Sequence, residues 1–470
     1  AGWPRSEEAA VASPPAAGPW WRRLGRGGDA RRRVPGNDRL DAAQAAAVLA
    51  GDGVVQVIAP AGSGKTTVLV ERVKELQRRG TPAGRILCLS FNRDAKEEIG
   101  VRLQRAGVAG VVVRSFHGLG LAILQAEGRA GASVGEMTDD ELTGLAGAVA
   151  APRGEQPWAP ARLRETLSGF KLAAMVTPAE ARAAAADPDA DPDAEHAAAL
   201  YEAYERSLAS RGRLDFDDLV ARTVRLLQDD PAVRRRWQAA FARVLVDEYQ
   251  DIEPAQALLV GLLAAPEDSL FCVGDEDQCI YAWRRATVRR IIELDQVYPG
   301  LERHALAHNY RCGRRIVTAS RRLIEHNEVR FRKPLRAGGR EKGVIVVGRC
   351  RDRREAAALV AHLISDADPT GCAVLARTSR LLAEVADACG GAAPVELATI
   401  HAAKGREWER VIIYAADEGQ TPHRTALGEE GGLEDERRLF YVALTRAKRR
   451  LEIVCTRGRE SRFLGEAWIG

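Results

Sequence analysis

Apolar residues along this 470-residue chain collect in short unbroken runs separated by longer amphipathic stretches. Val54-Val55-Gln56-Val57-Ile58, Ile86–Phe91 and Val111-Val112-Val113 read as buried strands, since such runs, bounded by glycine or polar turns, are too short for helices. Between them lie helical patterns: one opening at Val68, one through Ile99 and Leu103, and one from His117 to Gln125. Strands alternating with helices imply a parallel sheet covered on both faces. Residues 128–213 change character to Ala-rich helical segments, interrupted by the acidic, Pro-broken stretch Ala186–Asp193, which reads as a solvated loop. The strand–helix pattern resumes with Val244-Leu245-Val246-Asp247-Glu248 and Leu270–Asp275. A second α/β block starts near Arg303, with strands expected at His304–Ala307, Val344–Val347, Cys372–Ala376, Leu397–Ile400, Val411–Tyr414 and Leu451–Val454, and helices at Glu355–Ile364 and Glu434–Lys448. The expected organisation is a first α/β lobe from 37–127 and 214–302, a helical insertion at 128–213, and a second lobe at 303–470.

Composition narrows this without deciding it. With 46% hydrophobic residues and no apolar run approaching the ~18–20 residues of a membrane span, a soluble, cytoplasmic protein without membrane partners is expected. The N-terminal stretch has no apolar core of a secretory signal. The net charge of +4 is matched by residues 1–36, where seven arginines stand against Glu7, Glu8 and Asp29 (7 − 3 = +4). That Ala/Pro/Gly/Arg-rich arm reads as disordered, the rest of the chain is formally neutral, and bulk charge gives no argument for nucleic acid. The eight cysteines form no C-x-x-C pair and read as small buried hydrophobes.

The chemistry begins at Ala59-Pro60-Ala61-Gly62-Ser63-Gly64-Lys65-Thr66-Thr67, between a strand and a helix. Backbone N–H groups can converge on an anion only where no Cβ crowds the turn, and Gly62 and Gly64 provide that freedom among Ala61, Ser63 and Thr67. Lys65 is placed to reach the β- and γ-phosphates and the Thr66 hydroxyl to hold Mg²⁺; Ala59 stands where the G-x-x-x-x-G-K-[ST] pattern begins with glycine. The chain has only eight lysines, and one is at this position, where a compact ammonium fits and a guanidinium fork does not. Asp247-Glu248 ends an apolar strand at the carboxyl edge of the same sheet, so Asp247 can bind Mg²⁺ and Glu248 can orient or deprotonate an attacking water.

Val246-Asp247-Glu248-Tyr249-Gln250-Asp251, followed by Val273-Gly274-Asp275-Glu276-Asp277-Gln278-Cys279-Ile280-Tyr281-Ala282-Trp283-Arg284, resembles the UvrD/Rep-like helicases of superfamily 1, in a likeness running from Gln44 to about Cys455. The resemblance implies two RecA-like lobes of the P-loop NTPase class, ATP with Mg²⁺ as ligands, and single-stranded DNA and ss/ds junctions as partners. It implies that Gln44 reads the adenine edge, Tyr310 stacks on its face, and Glu407 holds the ribose. It further implies that Gln278, Arg311 and Arg446 meet the γ-phosphate, the two arginines from the second lobe. Phe91, Tyr281 and Trp283 would lie along a single-strand groove, with His117, Thr399 and His401 near its backbone. Aromatic stacking is sequence-tolerant, which suits a motor that steps along any sequence and fits the lack of bulk positive charge.

The chain also departs from the pattern. A large second helical domain is expected in that family before the Thr399–Trp408 motif; here Gly390-Gly391-Ala392-Ala393-Pro394 alone separates the preceding helix from the strand. Arg285, Arg406, Cys279 and Cys312 replace the usual Gly, Leu and two serines. Asp215-Phe216-Asp217-Asp218 reads as an acidic helix start, and Arg314, Arg315, Arg321 and Arg322 as the solvated face of an amphipathic helix. The expectation is therefore an ATP-dependent 3′-to-5′ translocase that unwinds duplex DNA, of a type that serves DNA repair among other pathways. The alternative is an ATP-gated clamp needing a protein partner in place of the missing domain. A small-molecule P-loop kinase would leave the second lobe without work.

Overall fold

The computed structural model describes residues 40–91, 93–149, 156–187, 189–191, 193–281, 287–365, 368 and 370–469. The arm at 1–36, Trp283 and Arg285 lie outside the described residues.

The first sheet has six parallel strands: β1 Val55–Ile58, β2 Ile86–Ser90, β3 Val112–Ser115, β4 Arg243–Val246, β5 Leu270–Gly274 and β6 Glu302–Ala305, in the order β3-β2-β4-β5-β1-β6. Successive side chains of a strand alternate between faces. Ile86 and Cys88 accordingly pack with Val68, Leu69 and Val73 of the Lys65–Arg78 helix, whereas Leu87 and Leu89 pack with Phe116, Leu119 and Leu259 on the other side. Both faces are covered, which is why these strands read as continuous apolar runs.

The strand expected to open the second block belongs instead to the first sheet. Glu302–Ala305 pairs with β1 in the register Val55↔Glu302 to Ile58↔Ala305, and the chain leaves this lobe only after Leu306, whose N–H donates to Ile58 O at 2.9 Å. As an edge strand it carries polar residues that a central strand would not; Arg303 Nε donates to Gln56 Oε1 at 2.6 Å.

The second sheet is β7 Val344–Cys350, β8 Cys372–Ala376, β9 Glu396–Thr399, β10 Trp408–Tyr414 and β11 Ala447–Thr456, all parallel, in the order β7-β11-β10-β8-β9. Leu375, Ile413 and Ile453 face the Arg314–Ile324 and Gly432–Leu444 helices; Val374, Ile412 and Val454 face the Arg353–Ile364 and Ser379–Ala388 helices. The helix expected to reach Lys448 stops at Leu444, because Thr445 Oγ1 donates back to Tyr441 O (2.9 Å) and Val442 O (3.1 Å) and β11 begins at Ala447. Arg446 therefore sits in the turn and Lys448 on a strand.

Helices Asp139–Ala148, Pro160–Ser168, Pro178–Ala185 and Ala194–Ser210 form a separate small core around Leu142, Leu163, Tyr201 and Leu208. A buried ion cluster fastens this insertion to the first lobe. Lys171 Nζ meets Asp215 Oδ2 at 2.7 Å, Asp218 Oδ1 at 3.1 Å and Glu205 Oε1 at 2.6 Å, while Tyr204 OH donates to Asp215 Oδ2 at 2.8 Å. Asp215 does cap the Phe216–Asp229 helix, accepting from Asp218 N at 2.7 Å, but the acidic motif also holds a fully buried ammonium, which an exposed helix start does not require. Lys171→Met would leave these carboxylates without their counter-charge, and loss of one partner from a buried pair typically costs ~3–5 kcal/mol. Urea denaturation should show a destabilisation of that order; an unchanged midpoint would mean that the cluster does not hold the insertion.

Candidate nucleotide site and single-strand track

The loop between β1 and the Lys65–Arg78 helix lies at the seam between the lobes. Gly62 and Gly64 have φ of +69° and +86°, and neither has room for a Cβ: one on Gly62 would come within 2.7 Å of Arg311 Cβ and Asn309 Oδ1, and one on Gly64 within 2.8 Å of Gln44 Nε2. Gln44 Nε2 donates to Ser63 O at 2.9 Å and Gln44 Oε1 accepts from Asp41 N at 3.0 Å. Each end of that carboxamide keeps one further hydrogen-bonding valence, enough for a paired contact with a base edge. Tyr310 N donates to Gly62 O at 2.8 Å, and Tyr310 OH to Asp41 Oδ2 at 2.6 Å, leaving the ring half exposed beside the helix that carries Gln44. Ser63 Oγ and Asn309 Nδ2 are buried without a hydrogen-bond partner among the described residues. A glycine cradle, an unsatisfied hydroxyl and an adjacent ammonium fit a polyphosphate.

Asp247 and Glu248 follow β4. Glu248 is in the left-handed region (φ +51°), which turns its carboxylate to Lys65 Nζ at 3.1 Å. Burial and the neighbouring Glu248 push the Asp247 carboxyl up to about 7. Burial would raise Glu248 as well, but Lys65, Lys404 and the Gln250 amide overcome it and hold Glu248 down at about 2. Gln250 spans two strand ends, donating to Glu248 Oε2 at 2.6 Å and accepting from Asp275 N at 2.9 Å. Thr66 is the second residue of the helix that opens at Lys65, and Ala61, Ser63 and Thr67 complete the loop.

The second lobe reaches these strand ends directly. Arg446 is fully buried, and its fork donates to Val442 O (3.0 Å), Arg406 O (3.1 Å) and, across the seam, Gln278 Oε1 (3.3 Å). Burial, with Arg311 nearby, lowers its pKa to about 10, so it stays charged. Gln278 Nε2 donates in turn to Asp275 Oδ2 at 2.6 Å. Arg311 and Glu407 are paired with one another, Arg311 also reaching Thr445 O at 3.4 Å and Glu407 accepting from Lys448 Nζ at 2.9 Å.

Sequence reasoning missed two residues here. Lys404 Nζ contacts both Asp251 oxygens (2.7 and 2.6 Å) and Gln278 O (2.5 Å). Asn309 Oδ1 accepts from Arg311 N (2.9 Å) and Cys312 N (2.8 Å), fixing the turn that carries Tyr310 and Arg311 against Gly62. The scarcity of lysine was a usable signal for Lys404; Asn309 offered none.

The structure brings Phe91 and Tyr281 together as a stacked pair, centroids 5.5 Å apart and planes 24° apart, with Lys404 Nζ 5.0 Å from the Tyr281 centroid. His117 lies edge-on to the exposed Phe216, an aromatic that sequence reasoning passed over, at 6.0 Å. Phe91, His117 and Phe216 border a cavity of 770 Å³ between the first lobe and the insertion. Thr399 Oγ1 accepts from Ala402 N at 3.2 Å, and His401 is lowered to about 4 by burial with Arg377 and Lys404 close by, so its ring is neutral near pH 7. Trp283 lies outside the described residues.

A phosphate loop on one parallel sheet, with cations reaching its strand ends from a second, defines a two-lobed P-loop fold. Residues 40–299 match the UvrD/REP helicase N-terminal domain and residues 384–458 the UvrD-like helicase C-terminal domain. The chain belongs to the UvrD/Rep helicase family. It is 36% identical over 306 residues to ATP-dependent DNA helicase Rep of Escherichia coli, covering 63% of this chain and 45% of Rep. It is 33% identical over 317 residues to ATP-dependent DNA helicase UvrD1 of Mycobacterium tuberculosis (63% and 41%), and 28% identical over 484 residues to DNA helicase IV of E. coli (90% and 69%). The chain thus spans about half the length of Rep and UvrD1.

Gly64→Ala forces alanine into a backbone conformation costly for it (φ +86°), and the methyl displaces the Gln44 carboxamide from Ser63 O. Titration with a fluorescent ATP analogue should show at least a 10-fold loss of affinity; wild-type binding would place the nucleotide elsewhere.

Proposed function

We propose that the chain is an ATP-driven motor on single-stranded DNA that moves 3′ to 5′ and unwinds duplex at ss/ds junctions, acting in the cytoplasm. The observation that carries this reading is the contact of Arg446 with Gln278 across the seam, since it ties the second lobe to the strand end beside the phosphate loop. Family membership and the stacked Phe91–Tyr281 pair support DNA as the track. Among the described residues no helix is long and apolar enough to cross a membrane.

In this reading Ala61 to Thr67 cradle the phosphates of ATP, Gln44 and Tyr310 hold the adenine, and Glu407 the ribose. Thr66 and Asp247 hold Mg²⁺, which when bound neutralises phosphate charge. Lys65 exchanges Glu248 for the phosphates, which frees the Glu248 carboxylate to position and deprotonate water. Arg311 leaves Glu407 and, with Arg446 and Gln278, meets the transferred phosphoryl, where such a cation is typically worth ~10³-fold or more. Because both arginines come from the second lobe, lobe closure follows the γ-phosphate. Phe91, Tyr281 and Trp283 stack bases, while His117, Thr399 and His401 follow the backbone, so that each cycle of closure shifts the strand by its contacts.

ATP turnover measured with and without single-stranded oligonucleotide tests the motor; turnover indifferent to DNA would sink it. Lys65→Ala should abolish DNA-stimulated hydrolysis while DNA binding persists, as read by phosphate release and anisotropy. Strand displacement on a 3′-tailed duplex separates an autonomous helicase from an ATP-gated clamp. The direct link from the Ser379–Ala388 helix to β9 through residues 389–395 is what keeps the clamp in view. Trp283→Ala should weaken single-strand affinity more than ATP affinity; an equal or reversed effect would remove it from the track.

A further inference from the structure

The Arg314–Ile324 helix is amphipathic as expected, and three of the four arginines on its solvated side, Arg314, Arg315 and Arg322, also line a groove. A cavity of 680 Å³ lies between the Arg314–Ile324 helix, edge strand β7 and the segment at Trp468. Its apolar lining includes Ile345 and Val347 on β7 and Ile469. Its lining also carries Arg314, Arg315, Arg322, Lys342 and Arg349, with no carboxylate among the described residues that line it.

The sequence balances 69 basic against 65 acidic residues, and several other surface arginines are matched, among them Arg93 with Glu97, Arg351 with Glu355 and Arg321 with Glu325. Arg349 approaches Glu460 at 3.5 Å, but Arg314, Arg315, Arg322 and Lys342 have no carboxylate partner among the described residues. Four unneutralised cations converging on one groove repel each other unless an anion joins them. The groove is also built rather than incidental. Arg314 N and Arg315 N donate to Glu341 O and Lys342 O, each at 2.9 Å, and Gly313 lies so close to Gly343 that a Cβ would come within 2.5 Å of its Cα. At the other end the Arg322 guanidinium lies 3.9 Å from the Trp468 ring centroid, while the indole remains 72% exposed.

We propose that this groove binds the sugar–phosphate backbone of a single strand of nucleic acid, with a base stacked on Trp468. Several cations lining one groove beside an exposed indole form the arrangement by which single strands are held without sequence preference. A continuous duplex would present no unstacked base to that ring. The groove is distinct from the track at Phe91 and Tyr281, and in a helicase the strand available to it is the one displaced by unwinding. The inference shares with the proposed function only the premise that the chain meets DNA; it does not depend on ATP turnover.

The test uses the full chain carrying Lys65→Ala, without nucleotide, and fluorescence anisotropy with a labelled oligothymidylate across a salt series. Replacing Arg315→Gln and Arg322→Gln together should lower affinity about 10-fold at low salt and reduce the salt slope by about 1.4, at ~0.7 per phosphate contact on a single strand. Trp468→Ala should weaken binding about 5-fold or more, the loss of one base stack. Unchanged affinity and slope in both variants would overturn the proposal. So would an equal loss for blunt duplex, which would make the groove a duplex contact, or a loss confined to a poly-glutamate peptide, which would make it a protein-docking site. If wild-type ATP turnover ignores DNA yet these variants still lose the oligonucleotide, the groove stands and the motor reading alone fails.

Discussion

Asp251 and the run Asp275–Asp277, which follow central strands of the first sheet, are buried, and the cations that neutralise them come from beyond that lobe. Asp275, Glu276 and Asp277 follow β5 and share Lys333 Nζ at 2.9, 2.5 and 3.0 Å, with Arg330 paired to Asp277 at 2.7 Å. Asp251, a few residues after β4, depends on Lys404. Burying an acid without a counter-charge is prohibitive, so these strand ends cannot be dry unless the later chain docks on them. The cluster carries three acids against two cations, and burial pushes Glu276 up to about 7 while Lys333 and Arg330 hold Asp277 low. The seam is thus set by charge neutralisation as much as by apolar packing, and the phosphate loop lies on that seam.

Much of this was legible in the sequence where the physics is local. Central parallel strands are buried on both faces, so they announce themselves as apolar runs; the phosphate loop and the acid pair are contiguous and carry their own chemistry. What escaped reading was non-local. Strand β6 alternates Glu302, Arg303 and His304 because it is an edge, and no local pattern says which sheet an edge joins. The end of the last long helix was misplaced because Thr445 and the strand start at Ala447 stop a pattern that still looks amphipathic. The Asp215–Asp218 motif looked like a cap because its partner, Lys171, lies far back in the sequence. The one long-range signal was compositional: of eight lysines, Lys65, Lys171, Lys333 and Lys404 each end on buried or half-buried carboxylates.

A short stretch after β6 carries much of the coupling. Tyr310 N is bonded to the phosphate loop, Tyr310 OH to the helix that bears Gln44, and Asn309 holds the Arg311 turn in contact with Gly62. Arg311 then reaches Thr445 beside Arg446. A displacement of Gly62 cannot leave Tyr310 or Arg311 where they were, because the close approach of Asn309 and Arg311 to Gly62 leaves no slack.

The choice of cation at each place follows from the acceptors it must satisfy. Lys404 offers donors from a single point, and its ammonium takes two carboxylate oxygens and the Gln278 carbonyl that converge on it. Arg446 offers a planar fork, and its nitrogens meet acceptors from three separate segments, ending at the Gln278 side chain. The second lobe therefore grips Gln278 twice, by its backbone through a point charge and by its amide through a fork. A residue held only by its own lobe could turn toward a phosphate without consequence elsewhere. Gln278 cannot, because any reorientation of its amide breaks the Arg446 contact across the seam and leaves that guanidinium nitrogen only the Thr445 hydroxyl of its own lobe, at 3.2 Å, so the amide's position and the second lobe's grip change together.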